Sequence, residues 1–139
     1  FRLIKTDMHK ESDLTKKIIG LAMQVHNEIG PGYQESIYHN AMIVILAKEG
    51  YMFDTEKEID VFFQKKLVGS FRLDLLIANR AVVELKAVVG EMPKIFKTQT
   101  ISYLKASNIE VGLLINFGNP SLDVKRLARY HNYNQYESV

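Results

Sequence analysis

The sequence contains no cysteine. That excludes a disulfide framework, a thiolate metal site and a Cys nucleophile, and it points to a cytoplasmic protein. No apolar run approaches the ~18 residues that a membrane span needs, so no membrane partner is expected. The opening residues, FRLIKTDMHK, carry charge throughout and lack the apolar stretch of a secretory signal; Met8 is read as the natural start. An excess of one charge is missing too. The net charge is +2 and the pI about 8.7, below the ~9 that marks a strongly electrostatic nucleic-acid binder, so charge alone names no partner. Repeats, low-complexity stretches and linkers are absent. What remains is ordinary globular usage, 47% hydrophobic and 24% charged over 139 residues, enough for one domain. Residues 1–12 are read as an N-terminal extension, 13–130 as the domain and 131–139 as a C-terminal tail.

Apolar residues recur at three- and four-residue steps from Leu14 through Ile18, Leu21, Ala22 and Val25 to Ile29, which predicts a helix over 13–29 capped by Ser12 or Asp13. Gly30-Pro31-Gly32 ends it. A second helix over 34–49 is expected to bury Ile37, Ala41, Val44 and Ile45, with Gly50 in the usual C-terminal position. Three strands follow, 51–63, 67–77 and 81–89, joined by turns at 64–66 and 78–80. Pro93 opens a helix over 94–106. The nearly all-apolar 110–117 reads as a strand covered on both faces. Beyond the turn at 118–120 an extended piece and a polar end are expected. The order helix, helix, three strands, helix, strand makes one α/β domain with a mixed sheet.

The second hairpin carries the chemistry. Closing it on Ala78–Arg80 pairs Ile77 with Ala81, and therefore Asp74 with Glu84, on the face of Arg72 and Leu76 rather than that of Phe71, Leu73, Leu75 and Ile77. Two carboxylates then stand ~5 Å apart at Cβ among Leu, Ile and Val, where repulsion and desolvation both cost stability. A divalent cation would remove the penalty, and Mg²⁺ takes one or two carboxylates plus water and phosphate. Lys86 lies one side-chain repeat from Glu84. A buried ion pair between Lys86 and one acid is the competing reading, but it leaves the other acid unpaired.

The arrangement Asp74, nine intervening residues, then Glu84-x-Lys86 resembles the PD-(D/E)xK nuclease signature. Gln99 and Tyr103 resemble the Q-x-x-x-Y element of its exonuclease-like branch. Gly32-Tyr33-Gln34-Glu35-Ser36-Ile37-Tyr38 is similar to the G-x-x-E-x-x-Y motif of a group of small bacterial proteins in the same superfamily. Leu73 departs from the pattern, standing where the namesake motif has proline. The resemblance covers about Leu14 to Arg126. It implies a restriction-endonuclease-like core, a central mixed β-sheet flanked by helices. It also implies that Asp74 and Glu84 bind Mg²⁺ or Mn²⁺ with the Leu85 carbonyl as a further ligand, and that Lys86 positions or deprotonates the attacking water or neutralises transition-state charge. By the same resemblance Gln99 and Tyr103 line the cleft.

Glu35 is either a further metal-site acid or a carboxylate favoured by a helix N-terminus. Tyr38 shares its face, as core or as part of the site. His26 is expected to be packed; His9, His39 and His131 show no metal spacing. Lys65, Lys66, Lys94, Lys97 and Lys105 are phosphate contacts or a solvated face. The expected function is Mg²⁺-dependent hydrolysis of phosphodiester bonds with low sequence specificity, acting on nucleic acid, DNA first. The alternatives are a non-catalytic nucleic-acid-binding or protein-interaction module on a nuclease scaffold, and a subunit that cuts only with a partner. A homodimer or a protein partner is compatible with each.

Overall fold

A computed structural model describes residues 11–130 and 135–138, with side chains through 129. Met8, His9, His131 and the first ten residues lie outside the described residues. Helices α1 (Ser12–Ile29) and α2 (Glu35–Lys48) precede strands β1 (Phe53–Phe63), β2 (Lys66–Ile77) and β3 (Ala81–Lys86). Helix α3 (Lys94–Ser107) then leads to β4 (Val111–Asn116), β5 (Asp123–Tyr130) and β6 (Gln135–Ser138). The strands form one sheet in sequence order. β3 and β4 are parallel, with α3 as the crossover, and every other pair is antiparallel. The expected mixed sheet between helices is therefore the observed architecture, and among the described residues no helix is long and apolar enough to cross a membrane. β5 and β6 extend the sheet through the part read only as an extended piece and tail.

Each sheet face has its own core. Ile18, Ala22 and Val25 of α1 and Met42 and Leu46 of α2 pack on Leu75, Ile77, Val83, Leu85, Leu113 and Ile115. On the opposite face Leu104 of α3 packs with Leu73, Leu76, Val82 and Leu127. Leu73 and Leu75 thus lie in different cores, although strict alternation puts them on one face. The expected grouping of Phe71 and Leu73 with Leu75 and Ile77 is corrected accordingly: β2 changes faces at Asp74. The neighbouring strand is distorted at the same level, where Glu56 takes a φ of 49° between the pairs Thr55–Leu75 and Lys57–Leu73.

Three further expectations are revised. Helix α1 begins without a side-chain cap; Glu11, at φ 57°, occupies the cap position ahead of Ser12. The Thr15 hydroxyl instead donates to the backbone of Glu11 and Ser12. Helix α2 buries Tyr38, Met42, Ile45 and Leu46, leaving Ile37 and Val44 exposed. The run 41–47 is apolar on every face and so has no unique stripe, and Tyr38 selects one by stacking on Phe117 (centroids 4.7 Å apart, 12° between planes). Gly50 does close α2: with φ 80°, it allows its own N–H to reach the Ala47 carbonyl and that of Tyr51 to reach Leu46.

The third revision concerns β3, which stops at Lys86 rather than 89. The next residues bond to side chains instead of to a strand. Asn116 accepts from the Val88 N–H (2.9 Å) and donates to the Val88 carbonyl (3.0 Å). Asn119 does the same for Gly90, at 2.7 and 2.8 Å. This brings residue 118 so close that a Cβ there would collide with the Val88 backbone. Gly118→Ala is expected to cost about 1–3 kcal/mol, the usual penalty of overpacking, measured by urea denaturation. A neutral effect would mean that the 88–90 segment yields freely.

Candidate active site

The β2–β3 ladder runs through Ile77–Ala81, Leu76–Val82 and Leu75–Val83, the register expected from a three-residue loop over 78–80. At the next level the acids take over the backbone bonding. The Asp74 N–H donates to Glu84 Oε2 (2.9 Å), and the Leu85 N–H donates to Asp74 Oδ2 (2.8 Å). Here the strands part. β2 continues outward paired with β1 alone, while β3 stays with β4 in the core. The crossed bonds hold both carboxyl groups at the fork.

Glu84 is only 5% exposed. Burial, and then the nearby Asp74 carboxylate, push its carboxyl up to about 8, against the opposing pull of the Asp74 N–H and Lys86. Asp74 is half-buried, and burial raises it too, while the Leu85 N–H, His39 and Lys86 pull it back. Both acids are thus raised at the fork, Asp74 by burial and Glu84 by burial and the Asp74 charge. Lys86 is half-buried beside them, its Nζ 4.4 Å from the centre of the Phe96 ring on α3.

Glu35, in the first turn of α2, is exposed as a residue. Partial loss of hydration raises its carboxyl, Lys86 and His39 lower it, and Asp74 raises it. Glu35 therefore lies within electrostatic reach of the fork. Tyr103 on α3 stacks on Phe71 (4.1 Å, 11°). Its hydroxyl is raised by burial and by the Glu84 and Asp74 charges. Gln99 is exposed one turn earlier on α3. The structure thus gathers Asp74, Glu84, Lys86, Glu35 and Tyr103 around one fork, and Gln99 lies exposed on the helix that carries Tyr103.

Tyr38 belongs to the core rather than the cleft. Its hydroxyl donates to the Gly30 carbonyl (2.7 Å) and accepts from the Tyr33 N–H (3.2 Å). It thereby pins the loop from which Glu35 emerges. His26 is packed as expected, its Nε2–H donating to the Asn119 carbonyl (2.8 Å).

Three neighbours of the fork escaped sequence reasoning. His39 Nε2 donates to the Asp74 carbonyl (3.0 Å); its signal was the four-residue step from Glu35 on one helix face. Phe96 lies seven residues before Tyr103, on the same strip of α3. Glu56 stands on the strand beside Asp74 and raises its carboxyl; nothing in the local pattern marks it.

The donor set suits a hard cation. The Leu85 side chain is buried in the core, but in an extended strand N–H and C=O leave on the same side, so the Leu85 carbonyl faces the strand that carries Asp74. Each carboxyl has one oxygen engaged by a backbone N–H and a second available, and oxygen donors are what Mg²⁺ and Mn²⁺ take. Among the described residues, however, no group of three or more His, Cys, Asp or Glu is arranged to hold a metal ion.

A fork of paired acids and a lysine, on a mixed sheet between helices, defines the class. The family model of the PD-(D/E)XK nuclease superfamily matches residues 12–127, and the chain belongs to that superfamily. Among solved structures the chain is similar to the one titled "Crystal structure of SSO0001", with TM-score 0.52 and 23% identity, a likeness of fold. The match covers 66% of this chain and 48% of that one, so this chain corresponds to about half the length of its structural relative. No curated protein matches.

Proposed function

We propose that the fork between β2 and β3 is a docking site for the phosphodiester backbone of nucleic acid, on a nuclease scaffold. The supporting observation is the grouping of Lys86 with Asp74, Glu84 and Glu35 in a member of this superfamily. Binding stands ahead of hydrolysis because no three-residue ligand cluster is found among the described residues. The test is fluorescence anisotropy with labelled single- and double-stranded DNA and RNA, in chelator, over a range of salt. Affinity that falls linearly with log salt is expected. No affinity for any of the four would overturn the reading.

Metal-dependent hydrolysis is the second reading, favoured by two carboxyls, both raised by burial, beside a lysine. Asp74, Glu84 and the Leu85 carbonyl would hold Mg²⁺ or Mn²⁺, with Glu35 as an outer acid. The ion supplies an acidified water and charge stabilisation at the phosphate. Lys86 would hold the phosphate and neutralise developing charge, and Gln99 and Tyr103 would orient it. Cleavage with Mg²⁺ or Mn²⁺ that stops in chelator is the expected result.

We also assign the chain to the G-x-x-E-x-x-Y branch. In support, Tyr38 of the motif fixes the loop that presents the motif's Glu35. A cytoplasmic setting accords with a nucleic-acid partner.

A further inference from the structure

Beyond Leu75, β2 no longer pairs with β3 and runs outward paired with β1 alone as a two-stranded ribbon, its base packed against α3 through Phe71 and Tyr103. From Asp74 to Lys66 it spans eight residue steps, ~26 Å at the usual rise. The ribbon closes on Gln64 and Lys65, both at positive φ (48° and 67°), which a tight, strongly twisted hairpin turn requires. At its end Phe63 pairs with Lys66 and Phe62 with Leu67; Val61 pairs with Gly69, so Val68 bulges. Phe62, Phe63, Leu67 and Val68 are each 60–64% exposed. Exposed apolar side chains gathered at the tip of a projecting element, here on both of its faces, mark an interaction surface.

Charge identifies the partner. Between Val61 and Gly69 the charged residues are Lys65 and Lys66, with no acid. Tip-to-tip pairing of two copies would bring like charges together, whereas a polyanion complements them. The ribbon is also continuous with the fork: Phe71 stacks on Tyr103, and Ile59 packs in the same core. Alternation from Ile59 through Val61 carries that face to Phe63. Glu58 and Asp60 lie on the other face, where they repel phosphate.

We propose that the ribbon tip is a wedge for duplex nucleic acid: Lys65 and Lys66 hold phosphates while Phe63 enters between adjacent base pairs. Apolar side chains on projecting elements unstack base steps in this way. The wedge acts ~26 Å from the fork, about seven or eight base pairs at ~3.4 Å each. This inference rests on the nucleic-acid reading above and names its substrate as a duplex that is opened or bent at a distance from the acids.

The test uses the whole chain in chelator with duplexes that carry 2-aminopurine at successive positions. Wild-type binding should brighten the probe at one step. Phe63→Ser, at an exposed position, should remove that signal with an unchanged melting temperature and retained, salt-dependent binding. Replacing Lys65 and Lys66 together by Ser should lower the salt slope by about two, near one per phosphate contact. Binding by the wild type without brightening overturns the wedge and leaves the nucleic-acid reading standing. Absence of duplex binding overturns the wedge; binding to single strands alone would still preserve the broader reading. If Phe63→Ser instead converts a dimer to a monomer in ultracentrifugation, with duplex binding and brightening unchanged, the tip is a self-association surface and the wedge is overturned.

Discussion

Glu84→Gln is expected to stabilise the protein at pH 8 and to flatten a decline in stability between about pH 4.5 and 8. The carboxyl lies near 8 in the folded chain, against an ordinary value of 4.5. Between those values the folded state holds a proton that the unfolded state has released, so stability falls as pH rises. The favourable contribution is fully present below the ordinary value and lost once pH passes the folded one. A shift of one pKa unit is worth ~1.4 kcal/mol, so the whole decline is on the order of a few kcal/mol, shared with Asp74. Glutamine keeps an oxygen to accept the Asp74 N–H and adds an N–H that Asp74 can accept. Urea denaturation of both proteins at pH 5, 6, 7 and 8 measures the difference. Parallel pH profiles would mean that Glu84 is hydrated or paired more fully than its burial indicates.

The features legible in the sequence were those set by short-range geometry. The three-residue loop Ala78–Arg80 after Ile77 fixes the hairpin register, and the register alone opposes Asp74 to Glu84. Gly50 and Pro93 mark helix ends because one tolerates positive φ and the other lacks an N–H. The features that were not legible depend on distant partners. Helix α2 is apolar all round over 41–47, so its buried stripe is decided by Tyr38 stacking on Phe117, some eighty residues away in the chain. The end of β3 is set by the Asn116 and Asn119 side chains, which imitate a strand without any strand periodicity. The face change at Asp74 breaks the alternation on which sequence reasoning rests, and it falls at the fork, where the backbone bonds to carboxylates rather than to a partner strand. His39 carried a positional signal but was weighed only as a metal ligand, whereas it bonds to a carbonyl.

On the hydrolytic reading, Lys86→Ala is expected to slow metal-dependent cleavage by about 10²–10³ while changing affinity for nucleic acid only a few-fold. The asymmetry follows from what the ammonium touches. Ground-state binding spreads over many phosphate contacts, so one charge is a small share. In the transition state negative charge concentrates at the reacting phosphate, and removing one preorganised group that stabilises such charge typically costs 10²–10³ in rate. Lys86 is preorganised here by the Phe96 ring at 4.4 Å, and its charge lowers Glu35, Asp74 and Glu84 alike. Its loss should therefore also keep the acids protonated to higher pH, moving the rise of any cleavage–pH profile upward and weakening the stabilisation by Mg²⁺ seen in thermal melts. Single-turnover cleavage and anisotropy on the same duplex, for wild type and Lys86→Ala, measure both effects. Equal cutting by the two proteins would place the activity outside this fork. Wild type that binds duplex with either metal present yet never cuts it would leave the fork as a binding site, with the lysine and acids retained to grip the backbone rather than to break it.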